Sequence, residues 1–128
     1  MKKNINLKGG CHCKKVRFIV EGNNSIEVLK CNCSICSLTS YLHYIIPKSK
    51  FRLIKGKKHL STYKFNKNIA EHYFCKTCGI KSFYIPRSHP NYFSVNARCF
   101  DEGTIKKVKI TKFNGKNWEK NIDNIKNN

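Results

Sequence analysis

Residues 75–79 of the chain read Cys75-Lys76-Thr77-Cys78-Gly79. Two cysteines separated by two residues point both sulfurs at one metal ion from a single tight turn. Gly79 suits this turn, because glycine readily adopts the positive φ that directs backbone N–H groups toward the sulfurs. A tetrahedral zinc site needs about four ligands, with zinc–sulfur distances near 2.3 Å. This turn, the C-terminal knuckle, therefore predicts a partner pair of cysteines elsewhere in the chain.

Two other segments carry closely spaced cysteines, and both contain Cys-x-Cys. They are Cys11-His12-Cys13 and Cys31-Asn32-Cys33-Ser34-Ile35-Cys36, which we call the N-terminal knuckle and the triplet. Spacing alone does not decide which of them completes the site at Cys75 and Cys78. The triplet supplies three thiols from one loop by itself, so the N-terminal knuckle is the better partner.

Seven thiolates divided as four and three predict two zinc ions with different roles. A closed four-thiolate shell is typical of structural zinc, whereas three protein ligands leave a position open, as in catalytic sites. The alternative is a binuclear or purely structural arrangement, in which a histidine or Cys99 fills the open position. The five histidines show no metal-binding spacing, which favours ordinary surface or core roles; they are His12, His43, His59, His72 and His89. We expect Cys99 to be a buried thiol near the second zinc.

Length and leader composition bear on where these thiols reside. The 128 residues fit one domain, residues 1–128. Eight cysteines in a short secreted chain would indicate disulfides, but no apolar stretch follows Met1-Lys2-Lys3 to form a secretory signal. No run of about 18 apolar residues is present either, so we expect no membrane span. These observations predict reduced thiols in an intracellular protein of the cytoplasm, with the nucleus as the alternative.

The formal net charge of +19 invites a nucleic-acid interpretation. The basic residues, however, are 22 Lys against 4 Arg, accompanied by 15 Asn. Lys and Asn have A/T-rich codons, so base composition explains this bias without a ligand. Arg, which binds phosphates and bases in bidentate fashion, is scarce. Weak, non-specific contact with nucleic acid is the most that the charge predicts.

Short runs of β-branched and aromatic residues, separated by turn residues, predict a mostly β domain. The turn at Lys55-Gly56-Lys57-Lys58 looks like a hairpin, and Trp118, Ile122 and Ile125 predict a short C-terminal helix, the only one expected. The fold class is therefore a small, zinc-stabilised β-sheet domain. The predicted strands are Val16–Val20, Ile26–Lys30, Tyr41–Ile46, Phe51–Ile54, Leu60–Phe65, Ile69–Phe74, Ile80–Ile85, Tyr92–Ala97 and Ile105–Phe113.

The chain resembles the glutathione-dependent formaldehyde-activating enzyme family, and most closely its centromere protein V branch. The similarity covers roughly residues 8–120. It is carried by six stretches: Gly9-Gly10-Cys11-His12-Cys13, Lys30-Cys31-Asn32-Cys33-Ser34-Ile35-Cys36, Phe74-Cys75-Lys76-Thr77-Cys78-Gly79-Ile80-Lys81-Ser82-Phe83-Tyr84, Pro86-Arg87-Ser88, Cys99-Phe100-Asp101-Glu102-Gly103, and Phe113-Asn114-Gly115-Lys116-Asn117-Trp118-Glu119. Two departures from bacterial members, Asn32 in the triplet and Phe100 before Asp101, favour the centromere protein V branch.

The resemblance implies a β-sheet fold clamped by two zinc ions, one structural and one exchangeable. It implies a structural zinc on Cys11, Cys13, Cys75 and Cys78. The implied second zinc is held by the catalytic residues Cys31, Cys33 and Cys36.

The implied activity is that of a carbon–sulfur lyase that forms S-hydroxymethylglutathione from glutathione and formaldehyde. A zinc-bound thiolate is a suitable nucleophile, since coordination deprotonates the thiol. The two carboxylates of glutathione would need cations, for which Lys30, Arg87 and Arg98 are candidates. The alternative function is a non-catalytic zinc module that binds chromatin, nucleic acid or a protein partner.

Overall fold

The computed structural model describes residues 5–32, 34–64, 71–86 and 89–113. Within these ranges the chain forms ten strands, one short α-helix and three single-turn 3-10 helices. The strands are β1 (Ile5–Gly10), β2 (Arg17–Gly22), β3 (Ser25–Cys31), β4 (Leu42–Pro47), β5 (Phe51–Lys55), β6 (Leu60–Tyr63), β7 (Glu71–Cys75), β8 (Phe83–Ile85), β9 (Tyr92–Asn96) and β10 (Lys107–Phe113). Helix α1 (Ser34–Thr39) connects β3 to β4, and the 3-10 helices span Lys48–Lys50, Lys57–His59 and Ala97–Cys99.

The strands form two sheets. The small sheet has the antiparallel order β1-β2-β5, and the large sheet has the order β10-β3-β4-β9-β8-β7-β6. Every described pairing is antiparallel except that of β10 with β3. The fold is mostly β, as the sequence predicts.

The main core brings together buried residues of both sheets. Alternation along β2 buries Phe18 and Val20, which are 1% and 0% exposed. From β5, Phe51 places its ring 5.6 Å from that of Phe18 and 4.7 Å from that of Phe83 on β8. Aromatic pairs at these separations add stabilisation beyond the area that they bury. These rings therefore hold the small sheet against the large one.

Each of the nine predicted strands corresponds to one of β2–β10, with ends that shift by a few residues. Strand β1 was not predicted, because Leu7 is its one large apolar residue that is buried. The helix predicted around Trp118 lies outside the described residues.

Two predictions are wrong. The segment Lys55–Lys58 is not a hairpin turn, because β5 pairs with β2 while β6 pairs with β7 in the other sheet. Gly56 does turn the chain, with φ +100°, but it leads from one sheet to the other. The C-terminus is also not the sole helical region, since α1 begins within the triplet and continues to Thr39. Its six residues are too few to show a helical period.

No helix in the described ranges combines the length and apolar character that crossing a lipid bilayer requires.

Gly10 lies where two backbone segments approach too closely for a side chain. A Cβ atom on Gly10 would lie 2.1 Å from the carbonyl oxygen of Val16. The N–H of the next residue, Cys11, donates to that same oxygen at 3.0 Å. Glycine at position 10 therefore allows β1 and β2 to close around the N-terminal knuckle.

Gly10→Ala should destabilise the zinc-loaded protein by about 2–3 kcal/mol, since the backbone must move to admit a methyl group. Gly103→Ala is the matched control, because Gly103 has φ +82° and nothing within 4 Å of its would-be Cβ. Only the cost of a positive φ applies there, about 1 kcal/mol. Urea denaturation followed by circular dichroism measures both changes. Equal destabilisation by the two variants would contradict the close-approach argument.

Candidate metal centre

The N-terminal knuckle connects β1 to β2 through a tight turn. The N–H of Lys14 donates to the carbonyl of Cys11 at 3.2 Å, and Lys14 itself has φ +68°. A backbone N–H also reaches a sulfur, since the N–H of Val16 lies 3.3 Å from Cys11 Sγ. This turn therefore presents the sulfurs of Cys11 and Cys13 together.

The C-terminal knuckle follows β7. The N–H of Gly79 donates to the carbonyl of Cys75 at 2.8 Å, and Gly79 has φ +77°, as the sequence predicts. The N–H of Cys75 donates to the carbonyl of Ile80 at 3.0 Å and closes the loop. Nothing lies within 4 Å of a Cβ on Gly79, so its backbone conformation rather than crowding requires glycine.

The connection between β5 and β6 contacts both knuckle loops. A Cβ on Gly56 would lie 2.3 Å from the carbonyl oxygen of Lys15, beside the N-terminal knuckle. Three residues later, the carbonyl of His59 accepts a hydrogen bond from the N–H of Lys76 in the C-terminal knuckle at 2.7 Å. The connection between β5 and β6, which includes the segment expected to form a hairpin, therefore helps to position the two knuckles relative to each other.

The two knuckles bring four sulfurs to one point. The Sγ atoms of Cys11, Cys13, Cys75 and Cys78 all lie within 4.8 Å of one another. Cys13 Sγ is 3.6 Å from Cys11 Sγ and 3.6 Å from Cys75 Sγ. A tetrahedron of sulfurs about 2.3 Å from a zinc ion has edges of about 3.8 Å, whereas a disulfide has sulfurs about 2 Å apart. The cluster therefore fits a zinc ion, and its donor set is that of a closed structural site.

The surroundings prepare the thiols unequally for ionisation. Burial raises the pKa of Cys78, but hydrogen bonds outweigh this effect and lower the pKa to about 6. They come from the backbone at Cys13 and Ile80 and from the thiols of Cys11 and Cys75. A backbone hydrogen bond at Lys15 lowers the pKa of Cys13, yet burial and hydrogen bonds to the other three thiols raise it to about 11. Burial also raises the pKa of Cys75, but backbone hydrogen bonds at Cys78 and Thr77 lower it by more. Two thiols of the cluster thus ionise more readily than a free cysteine, and a cation is needed to ionise all four.

The triplet lies at the junction of β3, α1 and β4. Cys31 ends β3 and is half-buried, and Cys36 is buried within α1. Cys33 lies outside the described residues. In the described part of the chain, Cys31 and Cys36 do not join a further group of three or more metal-ligating side chains. A second zinc at the triplet therefore stays a prediction.

A buried polar cluster next to the triplet could not be found from the sequence. Cys36 Sγ lies 3.1 Å from His43 Nε2, and His43 Nδ1 lies 3.1 Å from Ser94 Oγ and 3.0 Å from the Tyr84 hydroxyl. His43 is 5% exposed and Ser94 is fully buried. The sequence predicted surface or core roles for the five histidines without distinguishing them. His43 is a core residue, and strand pairing rather than spacing brings it to Cys36.

The cluster continues to a buried lysine. Lys81 is 8% exposed, and its Nζ lies 2.6 Å from His72 Nδ1. The same ammonium lies 3.9 Å from the centre of the Tyr84 ring and 4.7 Å from that of Tyr41. Such cation–π contacts compensate part of the cost of removing the charge from water. Lys81 is therefore a second feature that sequence reasoning missed.

Two of the three candidate substrate-binding cations, Lys30 and Arg98, lie next to segments that adjoin the triplet. Lys30 is exposed on β3, next to Cys31. Arg98 is exposed, and its Nε donates to the carbonyl of Ser40 at 2.8 Å, immediately after α1. Arg87 lies outside the described residues. Cys99 is half-buried, and burial raises the pKa of its thiol to about 11.

Cys78→Ser should remove the structural zinc and unfold the domain, because the free energy of structural zinc binding is part of the free energy of folding. Elemental analysis and thermal denaturation provide the measurement. Lys76→Ser, in the same loop but away from the sulfurs, is the control and should keep its zinc. A Cys78→Ser protein with its native thermal transition and full zinc content would contradict this role.

Comparison with known proteins places this cysteine arrangement in a family. The model of the family described as glutathione-dependent formaldehyde-activating enzyme matches residues 6–118. Among solved structures, the chain is similar to a Rhodobacter sphaeroides protein, a structural genomics target, with a TM-score of 0.71 and 33% sequence identity. That similarity covers 82% of this chain and 100% of the other. The chain belongs to the glutathione-dependent formaldehyde-activating enzyme family.

Proposed function

We propose that the protein is a cytoplasmic zinc enzyme of the carbon–sulfur lyase type, which binds glutathione and forms S-hydroxymethylglutathione from glutathione and formaldehyde. The observation that carries the proposal is the completeness of the Cys11–Cys13 and Cys75–Cys78 cluster. Four sulfurs within 4.8 Å satisfy one zinc without any thiol from the triplet. The first zinc needs no ligand from the triplet, and the proposal assigns Cys31, Cys33 and Cys36 to a second, exchangeable zinc as the catalytic set.

The chemistry is an addition and needs no oxidant. The sulfur lone pair of glutathione attacks the carbonyl carbon of formaldehyde and forms a carbon–sulfur bond. The carbonyl π electrons move to oxygen, which takes up a proton as the thiol loses its own. A zinc ion at the triplet would supply the thiolate at neutral pH.

The chain's own contribution at the surface is to orient the tripeptide. Arg98 is tethered through Nε to the carbonyl of Ser40, so its position is fixed relative to α1. A guanidinium has five N–H donors, and the donors that remain can bind a carboxylate. Lys30, next to Cys31 at the N-terminal end of the triplet, offers a second cation. Arg87 remains a third candidate.

The function is tested at chemical equilibrium, because glutathione and formaldehyde also combine without a catalyst. With ¹³C-formaldehyde, exchange spectroscopy measures the rate at which label passes between hydrated formaldehyde and the glutathione adduct. We expect the purified zinc protein to accelerate this exchange, and Cys36→Ser to abolish the acceleration while the thermal transition stays nearly unchanged. Metal analysis should give two zinc ions for the unmodified chain and one for the variant.

The non-catalytic alternative makes the opposite prediction. If both zinc ions leave together, and only as the protein unfolds, the chain has no exchangeable zinc. The result would then favour a non-catalytic zinc module that binds macromolecules. That module should show nucleic-acid or protein affinity independent of thiols, with steep salt dependence in the case of nucleic acid. The resemblance to the centromere protein V branch is what suggests this binding function.

Arg98→Gln should weaken glutathione binding roughly tenfold, the loss expected for a charge-assisted hydrogen bond of about 1.5 kcal/mol. S-methylglutathione separates this effect from thiol binding, since it keeps the carboxylates but cannot give a thiolate. Arg98→Gln should weaken binding of both compounds, whereas Cys36→Ser should affect glutathione alone. Arg52→Gln, an exposed arginine on β5 of the small sheet, is the control. Equal affinities in the Arg98 and Arg52 variants would remove Arg98 from the site.

A further inference from the structure

A buried lysine and a buried histidine face each other within the large-sheet region. Lys81 is 8% exposed and His72 is 5% exposed. Lys81 Nζ lies 2.6 Å from His72 Nδ1. Because an ammonium has donors and no acceptor, Nδ1 accepts this hydrogen bond and directs its lone pair at Nζ. Two nitrogen nucleophiles are therefore aligned along one N–H bond, away from bulk water.

The sheet holds both residues in place. His72 on β7 lies opposite Tyr84 of β8, and the two rings stack with centroids 4.7 Å apart. Lys81 precedes β8, and its carbonyl accepts a hydrogen bond from Asn96 Nδ2 at 3.1 Å. The N–H of Asn96 also donates to the carbonyl of Ser82, the next residue, at 2.8 Å. The two nitrogens thus approach each other from backbone positions that are fixed, which favours a reaction that needs both.

The distance between the nitrogens is close to the span of a one-carbon bridge. A methylene carbon with two C–N bonds of about 1.45 Å and a tetrahedral angle holds its nitrogens about 2.4 Å apart. Lys81 Nζ and His72 Nδ1, at 2.6 Å, already lie near that separation. Formaldehyde supplies such a bridge, because its carbon can bond to two nucleophiles in succession with the loss of one water. Lysine amines commonly begin this chemistry by adding to a carbonyl carbon.

We propose that His72 and Lys81 form a formaldehyde-modification site, the bridging site, in which one formaldehyde becomes a methylene bridge between Lys81 Nζ and His72 Nδ1. The inference rests on the proposed function only in that formaldehyde is a substrate of the protein. It requires neither the triplet nor a metal ion. The bridge joins β7 covalently to the segment before β8.

The imidazole carries the proton first and acts as the second nucleophile afterwards. His72 Nδ1 takes a proton from the Lys81 ammonium, and the free amine attacks the carbonyl carbon. The carbonyl π electrons move to oxygen, which receives a proton from Nζ. The imidazolium then returns its proton to the hydroxyl, water leaves, and the Nζ lone pair forms a C=N bond.

Closure of the bridge completes the balance. Nδ1 attacks the carbon of the C=N group, whose π electrons return to Nζ, and Nε2 of the same ring loses its proton to solvent. Overall the chain gains CH2O and releases one water and one proton. No electron leaves the system, so no oxidant or reductant is needed.

The packing around the pair selects for the smallest aldehyde. Lys81 Nζ lies 3.9 Å from the centre of the Tyr84 ring and 4.7 Å from that of Tyr41. A larger aldehyde would place its substituent on the bridging carbon, against these rings. Extra atoms in a close-packed interior are destabilising. The bridging site therefore accepts formaldehyde and excludes acetaldehyde, and its burial protects the bridge from hydrolysis.

The test is NMR of the full, zinc-loaded chain with ¹⁵N in its lysine Nζ and histidine ring positions. ¹³C-formaldehyde is added, and dialysis against a primary amine then removes the excess reagent and the adducts of exposed lysines. We expect one retained methylene carbon with scalar coupling to one lysine Nζ and one histidine Nδ1. Its protons should show nuclear Overhauser effects to the Tyr84 ring. Native mass spectrometry should show the gain of one labelled carbon per chain.

Variants identify the two nitrogens. His72→Gln and Lys81→Met should each abolish the retained signal. His43→Gln is the matched control, because His43 is also 5% exposed but its Nε2 lies 3.1 Å from Cys36 Sγ rather than from a lysine. The signal should persist in that variant. Acetaldehyde labelled with ¹³C at the carbonyl carbon should leave no retained signal in the unmodified chain.

The outcomes separate this inference from the proposed function. The bridging site is overturned if no methylene carbon is retained, if the retained carbon couples to a single nitrogen, or if the signal survives in His72→Gln. Accelerated exchange between formaldehyde and glutathione would still stand in each case. A retained bridge in a protein that does not accelerate this exchange would support the bridging site and overturn the proposed function alone. The couplings and contacts of the unmodified chain identify the pair, so a variant that fails to fold does not remove the test.

Discussion

The fold depends on one long-range contact, the convergence of two cysteine pairs that are more than sixty residues apart in the chain. The N-terminal knuckle belongs to the small sheet, and the C-terminal knuckle follows β7 of the large sheet. One ion bound to both pairs would fix the relative position of the two sheets at that end of the core. For a chain with 40% hydrophobic residues, such a cross-link adds what a thin core lacks. The glycines at positions 10 and 56 serve this convergence, because side chains there would collide with the backbone of the N-terminal knuckle region.

The charge of the surrounding chain suits a metal–thiolate cluster. Four thiolates and one Zn²⁺ leave a net negative charge, which must be stabilised by N–H donors and nearby cations. Hydrogen bonding to Asp101 raises the pKa of Arg17, and the negative charge of Cys11 raises it further. Lys15 donates to Thr77 at 3.3 Å, across the two knuckles. Lys15, one of the many lysines of the chain, thus lies between the two knuckles that form the cysteine cluster.

The sequence predicted most of what short-range pattern can specify. Alternation at Val16, Phe18 and Val20 gave a strand and its buried face, and Gly79 gave a positive φ in the knuckle. The predicted hairpin at Lys55–Lys58 is wrong, because turn residues indicate that the chain changes direction but not with which strand the next segment pairs. Helix α1 was missed because six residues carry too little periodicity. The pairing of Cys11 and Cys13 with Cys75 and Cys78 was preferred on ligand number, and the structure brings these four sulfurs within 4.8 Å of one another.

The buried polar cluster around His43 shows why other features of the structure could not be predicted from the sequence. Cys36, His43, Tyr84 and Ser94 are separated by 7, 41 and 51 residues in their hydrogen-bonded pairs. Each of these residues alone is an ordinary core or strand residue, and only the order β4-β9-β8 in the large sheet brings them together. Buried polar groups that bond to one another in this way are costly unless every partner is in place. Hydrophobic packing alone does not explain a buried imidazole, two tyrosines and a lysine beside a thiol. His43, Ser94 and Tyr84 lie on the paired strands β4, β9 and β8, so the hydrogen bonds of the large sheet hold the cluster in a fixed geometry.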